Sequence, residues 1–282
     1  MFNAAAQFGF DIAAFTAVMV LIVLGLGVIA SMMGIFNFAH GEFVLLGAYV
    51  VFLCNEAGLP GWTGLVAAPV VVGMIGLVLE ATIIRRFYSS PIVAMLGTYA
   101  IGLIIREWVR GLLGGLYKTV PEPLQGFVSL GGMNFSLWRI VIIVVTSVVI
   151  GLTWLFLTRT SHGLRVRGSL ENPLLARACG ISTKQLYALT FAFGSALAGL
   201  AGALVVPLSS VDPNMGVPWL VGAFMLVLLS GSSLVSMALA AVVLGAAQVL
   251  VSTYLNAVLG GMTIAVLAAI ILRVRPTGFA RA

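Results

Sequence analysis

A short polar stretch interrupts the apolar N-terminal part of this 282-residue chain and carries the ionisable side chains best placed for chemistry. Asn37, His40 and Glu42 lie within six residues of one another, between two apolar runs. An ionisable group in such surroundings is costly and is a candidate for function by default. Two interpretations fit the pattern. Glu42 can cap the helix that follows, where free amide groups favour a carboxylate, or the three side chains can line a polar pathway.

Two further groups of polar residues invite a functional interpretation. Asp212 and Asn214 lie in a second polar break, and we assign them to the same pathway as the first break. Arg106 and Arg110 share a helix face at a spacing of four residues, and Glu107 reaches Arg110 at a spacing of three. The two arginines either extend to the membrane surface or form a docking patch for an extracytoplasmic partner.

The chain lacks the motifs of catalysis and metal binding. No G-x-x-x-x-G-K-[ST] occurs, so the chain cannot bind ATP in the P-loop manner. The only two histidines, His40 and His162, do not share an apolar segment, which excludes an H-E-x-x-H zinc site. No G-x-S-x-G elbow is present. We therefore expect no catalytic residue, no metal and no cofactor in this chain.

The composition is that of an integral membrane protein, so membrane-spanning elements must position these polar residues. Hydrophobic residues make up 61% of the chain and charged residues 8%, against about 25% charged in a soluble domain. The mean hydropathy is +1.19. The net charge of +6 does not indicate nucleic-acid binding, because no basic cluster is interleaved with aromatic residues. The basic residues instead flank apolar runs, as orientation signals do.

The apolar runs predict an all-α, polytopic transmembrane helix bundle of eight to ten spans, in one domain over residues 1–282. About 20 apolar residues are needed to cross a bilayer as a helix. The best division of the chain gives nine spans: Ile12–Phe36, Phe43–Asn55, Trp62–Ile84, Ile92–Gly115, Ile140–Leu157, Leu186–Ser209, Trp219–Ser230, Leu234–Leu255 and Met262–Val274.

The positions of the basic residues predict the orientation. Clusters follow the third span (Arg85 and Arg86), fill the loop 158–185, and close the chain (Arg273 to Arg281). Cytoplasmic loops carry an excess of lysine and arginine, and nine spans place all three clusters on that side. The N-terminus is then outside and the C-terminus cytoplasmic. Cys54 and Cys179 fall on opposite sides of the bilayer, so we expect free thiols.

Two of the nine spans are too short to cross alone. Phe43–Asn55 and Trp219–Ser230 each follow a longer helix and a polar break, and the two longer helices run in opposite directions. Paired interruptions of opposite sense are typical of an inverted repeat with the substrate route near the breaks. Ordinary loops beside tilted short helices are the alternative. Between the breaks, small residues from Gly194 to Gly202 recur at four-residue spacing, which favours close helix packing.

The loop 158–185 contains the signals of a two-turn helix. Asn172 suits the N-cap, Pro173 the first helical position and Gly180 the end. Leu174 and Leu175 would then present an apolar surface to a binding partner or to lipid. A short amphipathic helix of this kind can lie on anionic lipid headgroups or insert into a groove of a partner protein.

Three blocks of the sequence carry a family resemblance: Met33–Glu42 with Leu46–Tyr49, the loop Gly163–Ile181 and the closing residues Arg275–Phe279. They resemble the permeases of branched-chain amino acid ABC importers, a family that includes urea and short-chain amide permeases. The first block is similar to the N-terminal signature of that family. The loop Gly163–Ile181 is similar to its cytoplasmic coupling segment, and Arg275–Phe279 to its terminal motif. The resemblance spans nearly the whole chain.

The resemblance implies a transport subunit that works with partners and is not itself an enzyme. They are a second homologous permease, two ATP-binding cassette ATPases that bind ATP and magnesium, and an extracytoplasmic solute-binding protein. Asn172–Cys179 then corresponds to the coupling helix. The implied site residues are, for substrate passage, Asn37, His40, Glu42, Asp212 and Asn214; for ATPase coupling, Glu171, Asn172, Leu174, Leu175, Arg177 and Gly180; and for binding-protein docking, Arg106 and Arg110.

The resemblance leaves the solute open between urea or a short amide and a branched-chain or other neutral amino acid. Asp212–Gly216 and Ala223–Met225 look somewhat more like the urea and amide branch, which favours urea or a small amide as the solute. Two other classes of protein compete with the importer subunit. One is a self-sufficient channel or secondary transporter, in which His40 and Glu42 relay protons. The other is a membrane scaffold that conducts nothing.

Overall fold

The structure is a computed structural model that describes residues 2–88, 90–130, 133–231, 234–275 and Gly278. Within these ranges the regular secondary structure is helical apart from one short hairpin, which confirms the predicted all-α bundle. The helices are α1 Phe2–Met33, α2 His40–Glu56, α3 Gly61–Thr82, α4 Pro91–Leu113, α5 Leu137–Arg159, α6 Ser161–Glu171, α7 Pro173–Ala178, α8 Thr183–Val205, α9 Gly216–Ser230, α10 Leu234–Tyr254 and α11 Ala257–Val274.

Nine of these helices correspond one to one with the predicted spans. In the described part of the chain, seven are long and apolar enough to cross a membrane: α1, α3, α4, α5, α8, α10 and α11. Helix α2 has 17 residues and α9 has 15, which at 1.5 Å per residue gives roughly 26 and 23 Å, less than the core of a bilayer of about 30 Å. The two predicted short helices are therefore present, and each is a few residues longer than expected.

Helix α8 lies at the centre of the bundle and packs against α1, α2 and α3. Gly25 of α1 faces Gly194 of α8. Met32, later in α1, contacts Thr190, which is earlier in α8, so the two helices are antiparallel. A side chain on Gly199 would collide with Val72 of α3 at 2.7 Å. The small-residue face predicted on α8 thus brings helix backbones into contact, as such faces do in lipid.

The two ends of the bundle differ in their covering. At one end, called here the hairpin end, strands β1 Phe127–Leu130 and β2 Met133–Ser136 form an antiparallel hairpin. Phe135 of the hairpin packs edge-on against Phe10 near the start of α1, with ring centroids 5.0 Å apart. The sequence analysis did not predict the hairpin, because its eight strand residues lie in a longer loop without a strong alternating pattern.

The opposite end, the α7 end, carries the short helices α6 and α7. The predicted helix after Asn172 is confirmed, since Asn172 Oδ1 accepts a hydrogen bond from Leu175 N at 2.9 Å and Gly180 adopts a φ of +80°. Helix α6 was not predicted. Its N-cap is Thr160, whose hydroxyl accepts from Gly163 N at 2.9 Å. The terminal motif Arg275–Phe279 lies largely outside the described residues.

Candidate functional site

The first polar break is held in shape by side chains that satisfy its backbone. Helix α1 ends at Met33, and Gly34, which follows it, has a φ of +67°. Asn37 Oδ1 accepts from Ala39 N at 3.0 Å, and Phe38 N donates to Thr98 Oγ1 of α4 at 3.1 Å. Because lipid supplies no hydrogen-bond partners, irregular backbone at membrane depth must be satisfied in this way. The break is thus an ordered element of the bundle, fixed to α4.

Glu42, in the first turn of α2, forms a buried ion pair with Arg106 of α4. The carboxylate is 1% exposed, and its Oε1 accepts from Arg106 Nε at 3.1 Å and also from Nη2. The N-cap of α2 is Ala39, and no side chain caps the helix. The capping interpretation of Glu42 is therefore wrong, because the guanidinium group takes the place of the backbone amides. Glu42 Oε2 has no hydrogen-bond partner among the described residues.

Arg106 does not extend to the membrane surface as one interpretation had it. Only 19% of its side chain is exposed, and its charge is engaged by Glu42. Arg110, one turn further along α4, is 41% exposed and binds Glu107 Oε1 at 2.7 Å, as the spacing predicted. A docking role for the two arginines stays a prediction, although the charge of Arg106 already has a partner inside the bundle.

His40 connects the break to the middle of α1. The ring is fully buried, and its Nε2 lies 3.1 Å from the carbonyl oxygen of Ile22. Because a carbonyl can only accept, Nε2 carries the proton in this contact. Nδ1 has no hydrogen-bond partner in the described chain, so His40 and Glu42 do not form the direct contact that a proton relay between them would need.

The second break is ordered by a similar local turn. Asp212 Oδ1 accepts from Asn214 N at 2.8 Å, and Val217 N donates to Asn214 O at 3.1 Å. Asn214 Oδ1 in turn accepts from Arg110 Nη2 at 3.2 Å. The arginine pair of α4 therefore contacts both breaks, Arg106 at the first and Arg110 at the second.

The two breaks meet where the short helices begin. Gly41 in the first turn of α2 lies against Gly216, the first residue of α9, so closely that a side chain on Gly216 would fall 2.7 Å from the carbonyl carbon of Gly41. The N-terminal ends of two helices, each carrying partial positive charge, thus converge beside the Glu42–Arg106 pair. We call these residues the junction: Asn37, His40, Gly41, Glu42, Arg106, Arg110, Asp212, Asn214 and Gly216.

The sequence analysis assigned the polar residues of the two breaks to one pathway but placed the two arginines of the junction elsewhere. It assigned Arg106 and Arg110 to a surface and Glu42 to a pathway, and the structure brings the three into one cluster. The available signal was the opposite charge of Glu42 and Arg106 in separate spans, since intramembrane charges usually pair with one another. The predicted spans contain few other charged residues, so Arg106 was the simplest candidate for the partner of Glu42.

The α7 end forms a second candidate site. Leu174 and Leu175 of α7 are 75% and 61% exposed, and Leu164 of α6 is 63% exposed. Arg177 Nε donates to Thr183 Oγ1 at 2.9 Å, which attaches α7 to the first turn of α8. A short helix with exposed leucines is thereby connected directly to the central helix of the bundle.

A buried carboxylate orders the turn between α3 and α4, and this turn contacts α8. Glu80, fully buried, accepts from Arg85 Nη2 at 3.1 Å and from the hydroxyl of Tyr88. Burial and this hydrogen bond raise the pKa of Tyr88 well above its usual range, so its hydroxyl stays a donor. Tyr88 packs edge-on against Tyr187 in the first turns of α8, with centroids 5.6 Å apart. The start of α8 is thus in contact with the α3–α4 turn.

Neither site has the donor set of a metal centre. In the described ranges, no three His, Cys, Asp or Glu side chains lie close enough together to hold a metal ion. What the junction offers is a buried pair of opposite charges, two helix N-termini and amide side chains, which together can stabilise a small polar or zwitterionic solute at membrane depth.

Comparison with known proteins gives a family for the chain. Residues 9–273 match the family described as the branched-chain amino acid transport system permease component. The chain is 28% identical to the high-affinity branched-chain amino acid transport system permease protein LivH of Escherichia coli K12, over 92% of this chain and 89% of LivH. It is also 25% identical to LivM, the permease protein of the same description, over 69% of this chain and 51% of LivM.

A solved structure shares the fold. A chain of PsaBC from Streptococcus pneumoniae, determined in complex with Fab, superposes with a TM-score of 0.52 over 94% of this chain and 91% of that chain. The sequence identity is 19%, so this likeness concerns the arrangement of helices alone.

Proposed function

The chain belongs to the branched-chain amino acid ABC importer permease family, whose members are multi-pass membrane transport subunits and not enzymes, and we propose that it is one half of an ATP-driven importer whose solute passes beside the junction. The observation that carries the proposal is the convergence of two interrupted helices at Gly41 and Gly216, next to the buried Glu42–Arg106 pair. Such interruptions at membrane depth are where transporters bind their substrates.

The partners of the proposed importer follow from the family and from the exposed surfaces. A second permease would complete the route, and the similarity of this chain to both LivH and LivM supports a pair of related subunits. Two cytoplasmic ATPases would bind ATP and magnesium, and an extracytoplasmic solute-binding protein would deliver the solute, with Arg106 and Arg110 in the region that receives it. The N-terminus is then outside and the C-terminus cytoplasmic.

The proposed drive point is the segment 158–185, and within it α7. Its exposed Leu174 and Leu175 suit insertion into an apolar groove of a partner better than a lipid surface, because α7 is too short to anchor on headgroups alone. Movement of α7 would be transmitted through Arg177 and Thr183 to α8. Because α8 packs against α1, α2 and α3, its displacement would shift the bundle between two packings and alter access to the junction.

The proposed solute is a branched-chain or other neutral amino acid. The relatives LivH and LivM carry that substrate class in their names, and the junction offers both signs of charge to a zwitterion. Urea or a short amide stays the second candidate, because the motif Asp212–Gly216 favours that branch.

Reconstitution tests the proposal directly. Vesicles that contain this chain, the second permease, the two ATPases and the binding protein should accumulate radiolabelled L-leucine only when ATP is supplied. Vesicles that contain the chain alone should accumulate none. Flux through the chain alone, without ATP, would overturn the proposal in favour of a channel or secondary transporter. Absence of any ATP-dependent uptake by the complete assembly, for leucine and urea alike, would overturn it in favour of a scaffold.

A further inference from the structure

A second polar feature lies away from the junction, in a cavity of about 360 Å³ at the hairpin end. Asp11 of α1 and Arg139 of α5 both line it and form an ion pair through Arg139 Nη1 and Asp11 Oδ1. Their side chains are 33% and 36% exposed. The pair therefore faces open space and can be reached by a small molecule.

The remaining wall of the cavity is largely apolar and aromatic. Phe15 of α1 stacks on Trp219 of α9, with ring centroids 5.7 Å apart and planes inclined by 29°. Val18 and Val205 close the wall behind them, and Ser209, Gln248 and Ser252 add polar groups at its edge. The cavity has a charged pair at one side and an apolar surface at the other. It is therefore complementary to an amino acid with an apolar side chain.

The arrangement of charges fits an α-amino acid in particular. The carboxylate and ammonium groups of such a molecule are attached to one carbon, so an adjacent cation and anion can bind both groups at once. Arg139 and Asp11 are in direct contact. The planar guanidinium binds a carboxylate in a two-point fashion, and a carboxylate binds an ammonium group equally well.

The exchange of partners costs little. A partly exposed ion pair contributes little to stability, so a zwitterion can separate Asp11 from Arg139 and give each a new partner of opposite charge. The volume of the cavity falls at the lower end of the range of roughly 300–1,000 Å³ for small-molecule sites. A branched-chain amino acid can occupy it without opening the bundle.

We propose that the Asp11–Arg139 cavity binds an α-amino acid with an apolar side chain, with its carboxylate on Arg139, its ammonium group on Asp11 and its side chain against Phe15 and Trp219. The inference rests on the proposed function and deepens it, because it selects a zwitterionic amino acid over a neutral amide. Urea carries no charge and would gain neither ion pair.

Binding to the assembled transporter in nanodiscs, without the solute-binding protein, tests the inference. L-Leucine should bind at least tenfold more tightly than leucinol, which lacks the carboxylate, than 4-methylpentanoate, which lacks the ammonium group, and than urea. Arg139→Gln and Asp11→Asn should each weaken leucine binding at least tenfold. Glu56→Gln, which removes a charge from the end of α2, should leave it unchanged.

A third variant keeps the test valid if loss of the ion pair disturbs folding. Ser209→Phe retains both charges and fills the cavity from an exposed loop position, so it should also weaken leucine binding. Unchanged binding in all three variants, no binding by the wild type, or equal binding of leucinol and leucine would overturn the inference. ATP-dependent uptake by the complete wild-type assembly is measured in parallel and tests the proposed function separately. Normal uptake without leucine binding in the cavity would overturn this inference and leave the proposed function standing.

Discussion

Arg106 of α4 and Glu42 of α2, 64 residues apart in the chain, form an ion pair at the point where α2 begins. The carboxylate is almost completely buried, and the guanidinium group is its partner. A buried pair of this kind contributes little net stability when intact, but removal of one partner leaves an uncompensated charge. The pair therefore fixes α4 against the break that precedes α2.

Removal of either charge should destabilise the protein more than removal of both. Glu42→Gln and Arg106→Gln should each lower the free energy of unfolding by about 3 kcal/mol or more, and the double variant should lose less than either single variant. Thermal unfolding of the purified protein in detergent measures this. Glu107→Gln is the matched control, because Glu107 pairs with Arg110 at the surface and its loss should cost about 1 kcal/mol at most. Additive losses in the double variant would contradict a direct pairing.

The close contact between Gly41 and Gly216 should tolerate no side chain. Gly216→Ala would place a methyl group on the backbone of Gly41, so the first turns of α2 and α9 must separate, and uptake by the assembled transporter should fall at least tenfold. Gly111→Ala is the control, since no atom lies within 4 Å of the added group and alanine favours the helix. Equal uptake by both variants would show that the two helices do not have to meet.

The orientation of the chain can be read from its two cysteines. Cys54 near the end of α2 is partly buried, and Cys179 after α7 is exposed; both are free thiols, as expected. A membrane-impermeant maleimide applied to sealed spheroplasts should label Cys54 and not Cys179. After permeabilisation, both cysteines should be labelled. Cys54→Ser and Cys179→Ser assign the signals. Labelling of Cys179 in intact cells would reverse the proposed topology.

Changes in α7 should stop transport without preventing membrane insertion. Arg177→Glu removes the donor to Thr183 and reverses the charge at the end of α7, and Leu175→Pro removes the backbone donor that Asn172 caps. Both variants should reach the membrane at wild-type levels and lose ATP-dependent uptake. Leu152→Ala on α5, where the side chain is as exposed as Leu175, should transport normally. Normal transport by both α7 variants would exclude α7 as the drive point.

The sequence was sufficient for features that depend on local chemistry. Apolar runs predicted nine helices because lipid demands such runs, and the Asn172, Pro173 and Gly180 signals predicted α7 because caps act within one turn. The two short spans, which end at Asn55 and Ser230, were predicted from the length of their apolar runs. Each of these signals is contained in a few consecutive residues.

Features that depend on distant contacts were missed. Nothing near Glu42 in the chain indicates that Arg106 will be its partner, so the carboxylate was interpreted as a possible cap and the arginine as a surface group. Helix α6 was missed because its sequence is polar and contains two glycines, and its contacts with α5 and α7 cannot be read from its own residues. The meeting of Gly41 and Gly216 is likewise a property of packing, which spacing along the chain does not encode.

The claim on which the proposed function depends most is that an ATPase subunit drives this chain through α7. A photo-activated cross-linking residue placed at Leu174, 75% exposed, tests it in the assembled transporter in native membranes, with the same residue at Leu152 of α5 as the control. We expect the Leu174 probe to form a covalent adduct with the ATPase subunit, identified by mass spectrometry, and the Leu152 probe to form none. Adducts of Leu174 with lipid alone would contradict the claim.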